Sequence, residues 1–297
     1  MNVDIPAAAQ LACLLEASAP KPGNVSPGRH FSDVRYEHFL ASAAAIGGAF
    51  AGAGGREVGE TILIAAQATS RWTRSNTNLG IVLLLAPLAK AASVAGRPEG
   101  RPLPGSSRES AEKGRSLRES LHDVLNRTTV DDARNVFAAI RLASPGGLGE
   151  APDQDVADEP TVTLLEAMQL AADHDGIARE YATTFETTFE VAVPALLRAR
   201  ADGLSWDDVV VETFLTVLAS QPDTHIGRRG GPELAVEVSQ RAADVMRAGG
   251  IRTDEGRRAL GYFDHSLRDP RNTGNPGTTA DVTAAALFVA LLQGAWT

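Results

Sequence analysis

Apolar residues recur along this chain at three- and four-residue intervals, with no sustained alternation. Ile5, Ala8, Ala12, Leu15 and Ala19 form the first stripe, so a helix is predicted over Ile5–Ala19, ending at Pro20 and Pro22. Tyr36, Phe39, Leu40, Ala43, Ile46 and Phe50 form the second, with Asp33 placed where an N-cap would stand. Arg56–Thr73 follows the glycines of 52–55, and Asn78–Ala92 is apolar nearly all round, which predicts a central buried helix kinked at Pro87. Further helices are predicted over Arg108–Asn126, Val130–Leu142, Val162–Ala172, Ile177–Arg200, Trp206–Ser220, Pro232–Arg247, Asp254–Leu267 and Thr279–Leu292. Ser205 ahead of Asp207 and Asp208, and Thr129 ahead of Asp131 and Asp132, read as helix starts. Ala95–Arg108 and Ser144–Pro160 read as loops. The prediction is an all-α fold, one multi-helix domain over residues 1–297.

Composition agrees with helix over strand, since Ala and Leu dominate while aromatic residues make up 5% of the 297 positions. The net charge of -9 argues against a nucleic-acid surface. The lone Cys13 excludes an intrachain disulfide and a Cys-rich zinc site, and the six histidines show no metal-type spacing. The apolar runs are too short for a membrane span, and no basic segment precedes Asp4, so a soluble cytoplasmic protein is expected.

Four polar motifs stand where helices are predicted to begin: Pro20-Lys21-Pro22-Gly23-Asn24, Ser75-Asn76-Thr77-Asn78-Leu79-Gly80, Asp223-Thr224-His225-Ile226-Gly227-Arg228-Arg229-Gly230-Gly231 and Asn275-Pro276-Gly277-Thr278-Thr279-Ala280-Asp281. Helix starts expose unpaired N–H groups and a positive dipole end, which suit phosphate oxygens. Lys21 is one of only three lysines and lies between two prolines, which makes it a candidate phosphate contact. Asn76, Thr77 and Asn78 exceed what capping requires, and Gly80 would let a ligand approach the backbone. Arg228 and Arg229 beside Gly230 and Gly231 suit bidentate phosphate binding, and Asp223 is a candidate Mg²⁺ ligand. Read blandly, each motif is a turn or a cap. Convergence on one cleft is the expectation that separates the two readings.

In this order the motifs resemble the triphosphoribosyl-dephospho-CoA synthase family, and Gly147-Leu148-Gly149-Glu150-Ala151 is similar to that family's Gly-Glu-Ala segment. The resemblance implies a helical transferase that uses ATP and dephospho-CoA, with no redox cofactor. It also implies that the triphosphoribosyl unit moves to a ribose 2′-hydroxyl and adenine is released. On that basis Mg²⁺ with Lys21, Arg228, Arg229 and the Asn76–Gly80 start would hold the phosphates. Gly23, Asn24, Thr224, Gly230, Gly231, Asn275 and Gly277 complete the expected contacts. Asp33, Glu150, Asp223 and Asp281 are the candidate catalytic carboxylates, with Asp223 and Asp281 the candidate metal ligands. The chain has Thr77-Asn78-Leu79-Gly80 where better-known members have Thr-His-Lys-Gly, and Asn24-Val25-Ser26 where an Asp follows. The acceptor is therefore dephospho-CoA or a related ribose-bearing molecule, and the oligomeric state is open. Two other readings are carried: a Mg²⁺-dependent hydrolase resembling the ADP-ribosylglycohydrolases, and a non-catalytic nucleotide-binding protein.

Overall fold

The computed structural model describes residues 4–95, 115–143 and 154–296. Among them the fold is all-helical, and the only β feature is a single bridge between Ser26 and Arg29. The helices, in chain order, are α1 (Ile5–Ser18), α2 (Tyr36–Ala45), α3 (Gly47–Ala51), α4 (Val58–Ser70), α5 (Leu79–Val94), α6 (Leu117–Asn126), α7 (Val130–Ala143) and α8 (Leu164–Ala171). They continue with α9 (Gly176–Ala182), a π-helical turn (Thr187–Ala192), α10 (Val193–Ala201), α11 (Trp206–Ser220), α12 (Thr224–Gly230), α13 (Pro232–Arg247), α14 (Asp254–Leu267) and α15 (Gly277–Leu292).

Two helices share the centre. α5 is buried on every face, as its unbroken apolar run requires, and α15 is buried from Thr278 to Leu291 apart from Asp281. They pack against each other, with α1, α10 and α11 on α15 and α4 and α6 on α5. Buried apolar side chains from Ala8 to Leu291 form one continuous cluster. No helix among the described residues is long and apolar enough to cross a membrane.

Pro87 sits inside α5 and cannot donate to the carbonyl one turn earlier, Leu83. The Tyr181 hydroxyl donates to the Leu83 oxygen at 2.6 Å and fills that vacancy from α9. Burying a Tyr at this depth is tolerable because its O–H has a partner.

The predicted Ile177–Arg200 helix is broken in the structure. Thr184 and Phe185 both take positive φ, 53° and 58°, which ends α9 without any Gly or Pro. Glu180 then turns its carboxylate onto the next segment, accepting from the Thr187 N–H at 3.0 Å, the Thr188 N–H at 2.9 Å and the Thr188 hydroxyl at 2.5 Å. Complete burial of Phe185 offsets the backbone strain. The stripe from Tyr36 to Phe50 likewise splits at Ile46, and the cap of α2 is Arg35, not Asp33.

Candidate functional site

Three of the four motifs interlock by direct hydrogen bonds. Asp223 caps two helices at once. Its Oδ1 accepts the Ile226 N–H at 3.0 Å within α12, and its Oδ2 accepts the Thr279 N–H and hydroxyl, both at 2.7 Å, at the start of α15. Neither Thr278 nor Thr279 therefore caps its own helix. Thr224 and Thr278 hydroxyls lie 3.0 Å apart, and the Thr224 oxygen also accepts the Gly176 N–H. The Asn24 side chain donates to Asn275 Oδ1 at 2.5 Å. Gly23 takes φ 73°, and a Cβ there would stand 3.0 Å from both the Gly274 oxygen and Pro276, so only glycine fits this seam.

The fourth motif joins through a close approach. A Cβ on Gly80 would lie 2.0 Å from Asp281 Oδ2, so the first turn of α5 lies directly against that carboxylate. The small residue at position 80 accommodates Asp281, where the sequence suggested it would accommodate a ligand. The four motifs are in contact, while the cavity beside the second motif is lined by none of the residues of the other three. Gly277 lies against the His225 ring, and Gly230 and Gly231 close α12, Gly231 at φ 95° leading into α13.

Asp281 is the chemically distinctive group at this junction. It is partly buried and makes no hydrogen bond among the described residues. Desolvation, reinforced by Glu16, Asp223 and Asp175, raises its pKa well above the ordinary carboxylate value, against a smaller opposing effect of Arg228. Four carboxylates thus share one neighbourhood, and no set of three or more His, Cys, Asp or Glu side chains among the described residues is arranged to hold a metal by itself.

Arginines lie along the contacts between the motifs. Arg228 pairs with Asp175, the cap of α9, and its Nε is buried with no partner among the described residues. Arg229 donates to the Arg271 carbonyl at 2.9 Å. Asp264 gathers Arg29, Arg268 and the Gly23 N–H, while Arg268 also donates to the Asn24 carbonyl at 2.8 Å. Arg29, Arg268, Glu16, Asp175 and Asp264 carried no motif signal in the sequence.

His225 stands in the same seam. Its Nδ1 lies 3.0 Å from the Asn275 carbonyl, which can only accept, so Nδ1 carries the proton and Nε2 a lone pair. Burial is the main cause holding its pKa below 6.5; Arg228 and Arg229 add to this while Asp223 and the hydrogen bond oppose it. His225 is neutral at pH 7, a property that spacing among histidines could not reveal.

Several expected site residues do other work. Lys21 was expected on phosphate. It is instead 1% exposed, folded back beneath the end of α1, 3.0 Å from Glu16 Oε1 and bonded to the Glu16 and Ala19 carbonyls. A lysine there satisfies carbonyls at a helix C-terminus and complements its dipole. Asp33 is exposed, and only its backbone carbonyl meets the second motif, through the Ser75 hydroxyl at 3.3 Å. Thr77 bonds Ser42 at 2.6 Å, Asn78 bonds Thr69 at 3.3 Å, and Asn76 accepts the Leu79 N–H at 3.1 Å. Glu150 lies outside the described residues. Burial, reinforced by Glu16 and Asp281, pushes the Cys13 thiol pKa up, so it is no thiolate nucleophile.

Comparison with known proteins agrees with the helical fold and the family resemblance. A protein from Pseudomonas putida assigned as a 2-(5''-triphosphoribosyl)-3'-dephosphocoenzyme-A synthase is 36% identical over 38% of this chain and 40% of its own length. One from Pseudomonas savastanoi pv. phaseolicola is 33% identical over 55% of each chain, so the matches span about half or less of these relatives. The synthase of Klebsiella pneumoniae is 29% identical over 40% of this chain and 42% of its own length. A crystal structure from Archaeoglobus fulgidus, assigned as a triphosphoribosyl-dephospho-CoA synthase, superposes with a TM-score of 0.62 and 28% identity. It covers 86% of this chain and 99% of its own. The model of one family, ATP:dephospho-CoA triphosphoribosyl transferase, matches residues 2–297. The chain belongs to that family.

Proposed function

We propose that this protein transfers the triphosphoribosyl unit of ATP to the ribose 2′-hydroxyl of dephospho-CoA or a related acceptor, releasing adenine. The observation that carries the reading is the junction itself: a desolvated Asp281 carboxylate, without a hydrogen-bond partner among the described residues, with Arg228 of the third motif acting on it electrostatically. Such an arrangement suits a polyphosphate accompanied by a cation. A single domain over the whole chain and a cytoplasmic location remain part of the proposal.

In the reaction the acceptor 2′-oxygen forms a bond to C1′ while the bond from C1′ to adenine breaks. The electron pair leaves with adenine, which takes up a proton, and the hydroxyl proton passes to a base. His225 is the base we assign, because its Nε2 lone pair is free at neutral pH. Arg229 and the Arg228–Asp175 pair orient the triphosphate.

The donor set bears on Mg²⁺ unevenly. Asp223 already accepts three hydrogen bonds of the roughly four a carboxylate can take, so it fits a metal poorly. Asp281 fits, since it is unbonded and repelled by three neighbouring carboxylates. Mg²⁺ commonly takes one or two carboxylates and leaves other positions to phosphate and water, and it would supply charge neutralisation of the triphosphate.

The test is chromatography for free adenine after incubation with ATP and Mg²⁺, with and without dephospho-CoA. Acceptor-dependent adenine release is expected. Release without acceptor would identify a hydrolase, and ATP binding without release would identify a non-catalytic binder.

A further inference from the structure

A cavity of about 300 Å³ opens beside the second motif, between the ends of α4 and α7 and the start of α5. That volume lies at the small end of ligand sites, about 300–1,000 Å³, so it suits a ring system and not a whole coenzyme. Its wall is divided. Ala66, Val82 and Ala143 supply apolar surface, while Thr69, Asn76 and Asn78 supply polar atoms. Asn78 spends its Nδ2 on Thr69 and leaves Oδ1 without a donor among the described residues. Asn76 spends its Oδ1 on the Leu79 N–H and leaves its NH₂ without an acceptor among the described residues. Together they offer one acceptor and one donor, the pair that matches an adenine edge with its N6 amino group and neighbouring ring nitrogen. Arg74 lines the cavity, is exposed, and has no ion pair or hydrogen bond among the described residues, which leaves its plane available to stack on a base.

The cavity also lies in the right direction. Asn76 to Leu79 line it, and the next residue, Gly80, lies against Asp281. The first turn of α5 therefore links this cavity to the junction of the other three motifs. We propose that the cavity holds the adenine ring of ATP, so that the ribose spans the α5 start and the triphosphate reaches the arginines beside Asp281. This rests on the transferase reading above and adds to it the position of the leaving group. It assigns Asn76 and Asn78 to base recognition, where the sequence suggested phosphate contact.

Two cavity-filling variants test it, Ala66→Leu on α4 and Ala143→Trp at the end of α7, each checked for an unchanged circular dichroism spectrum. Ala143 lies at a helix end, so its variant stays informative if Ala66→Leu fails to fold. Titrations use adenine, inorganic tripolyphosphate and pantetheine as separate probes. Adenine affinity is expected to fall at least tenfold in the filled variants while tripolyphosphate affinity is unchanged. Equal adenine binding to filled and wild-type protein would overturn the assignment, and so would loss of pantetheine binding with adenine retained. Failure of tripolyphosphate to bind the wild type would count against the transferase reading alone, since the adenine titrations report on the cavity independently.

Discussion

Asp223→Asn separates a structural from a metal-binding role for the residue that joins two motifs. Asp223 is 2% exposed and accepts from the Ile226 N–H, the Thr279 N–H and the Thr279 hydroxyl. Asparagine keeps the shape but replaces one oxygen with a donor. If its oxygen stays on Ile226, its NH₂ faces the Thr279 N–H. The hydroxyl can rotate and accept, so one bond is recovered, while the Thr279 N–H is left buried and unpaired. A hydrogen bond to a charged acceptor contributes about 1.5–3 kcal/mol, and an unsatisfied buried donor costs about 1–3 kcal/mol. A loss of about 2–4 kcal/mol is expected, a large part of the 5–15 kcal/mol typical of a whole domain. Urea denaturation followed by circular dichroism, in metal-free buffer, should show a lower midpoint at unchanged slope. Thr279→Val should cost a similar amount, and the double variant less than the two together. A merely metal-binding Asp223 predicts the opposite, since removing a buried charge without its metal would be neutral or stabilising. A midpoint equal to wild type would refute the two-helix cap.

Three further outcomes follow from the same geometry. Asp281→Asn should stabilise metal-free protein while abolishing adenine release. Because the folded-state pKa is raised, the gain is full above that value and fades as pH falls through it toward 3.8, which thermal melts across pH would record. Tyr181→Phe should cost about 1–3 kcal/mol by orphaning the Leu83 carbonyl, and markedly less in a Pro87→Ala background, where residue 87 regains an N–H. Arg229→Ala should weaken tripolyphosphate binding about tenfold or more with an unchanged melt. Arg228→Ala should also destabilise, because it strands Asp175; equal melts for both arginine variants would argue against that pairing.

What the sequence could reveal divides along the range of the interactions involved. Trp206–Ser220, Pro232–Arg247 and Asp254–Leu267 end where local signals place them, because a cap and an apolar stripe act within one or two turns. Ser205, accepting the Asp208 N–H at 3.3 Å, is such a signal. The break at Thr184 and Phe185 has no local mark, since it is held by Glu180 reaching forward and by burial of the Phe ring. The proline inside the central helix was legible, but not the tyrosine 94 positions later that fills the carbonyl vacancy it leaves. The site follows the same rule. Motif residues could be picked out because each motif disturbs a helix start, and their meeting follows from α5 and α15 packing side by side. Their partners could not. Glu16, Asp175 and Asp264 sit within ordinary helical or capping patterns, yet they determine which cations remain free for a ligand. Lys21 shows the consequence: a residue marked by its prolines is claimed by a glutamate five positions earlier. Arg74 and His225, which drew no functional assignment in the sequence, are left with an open face or a free lone pair. A site composed of charges is therefore read reliably only after its ion pairs are known, because pairing decides which groups a ligand can reach.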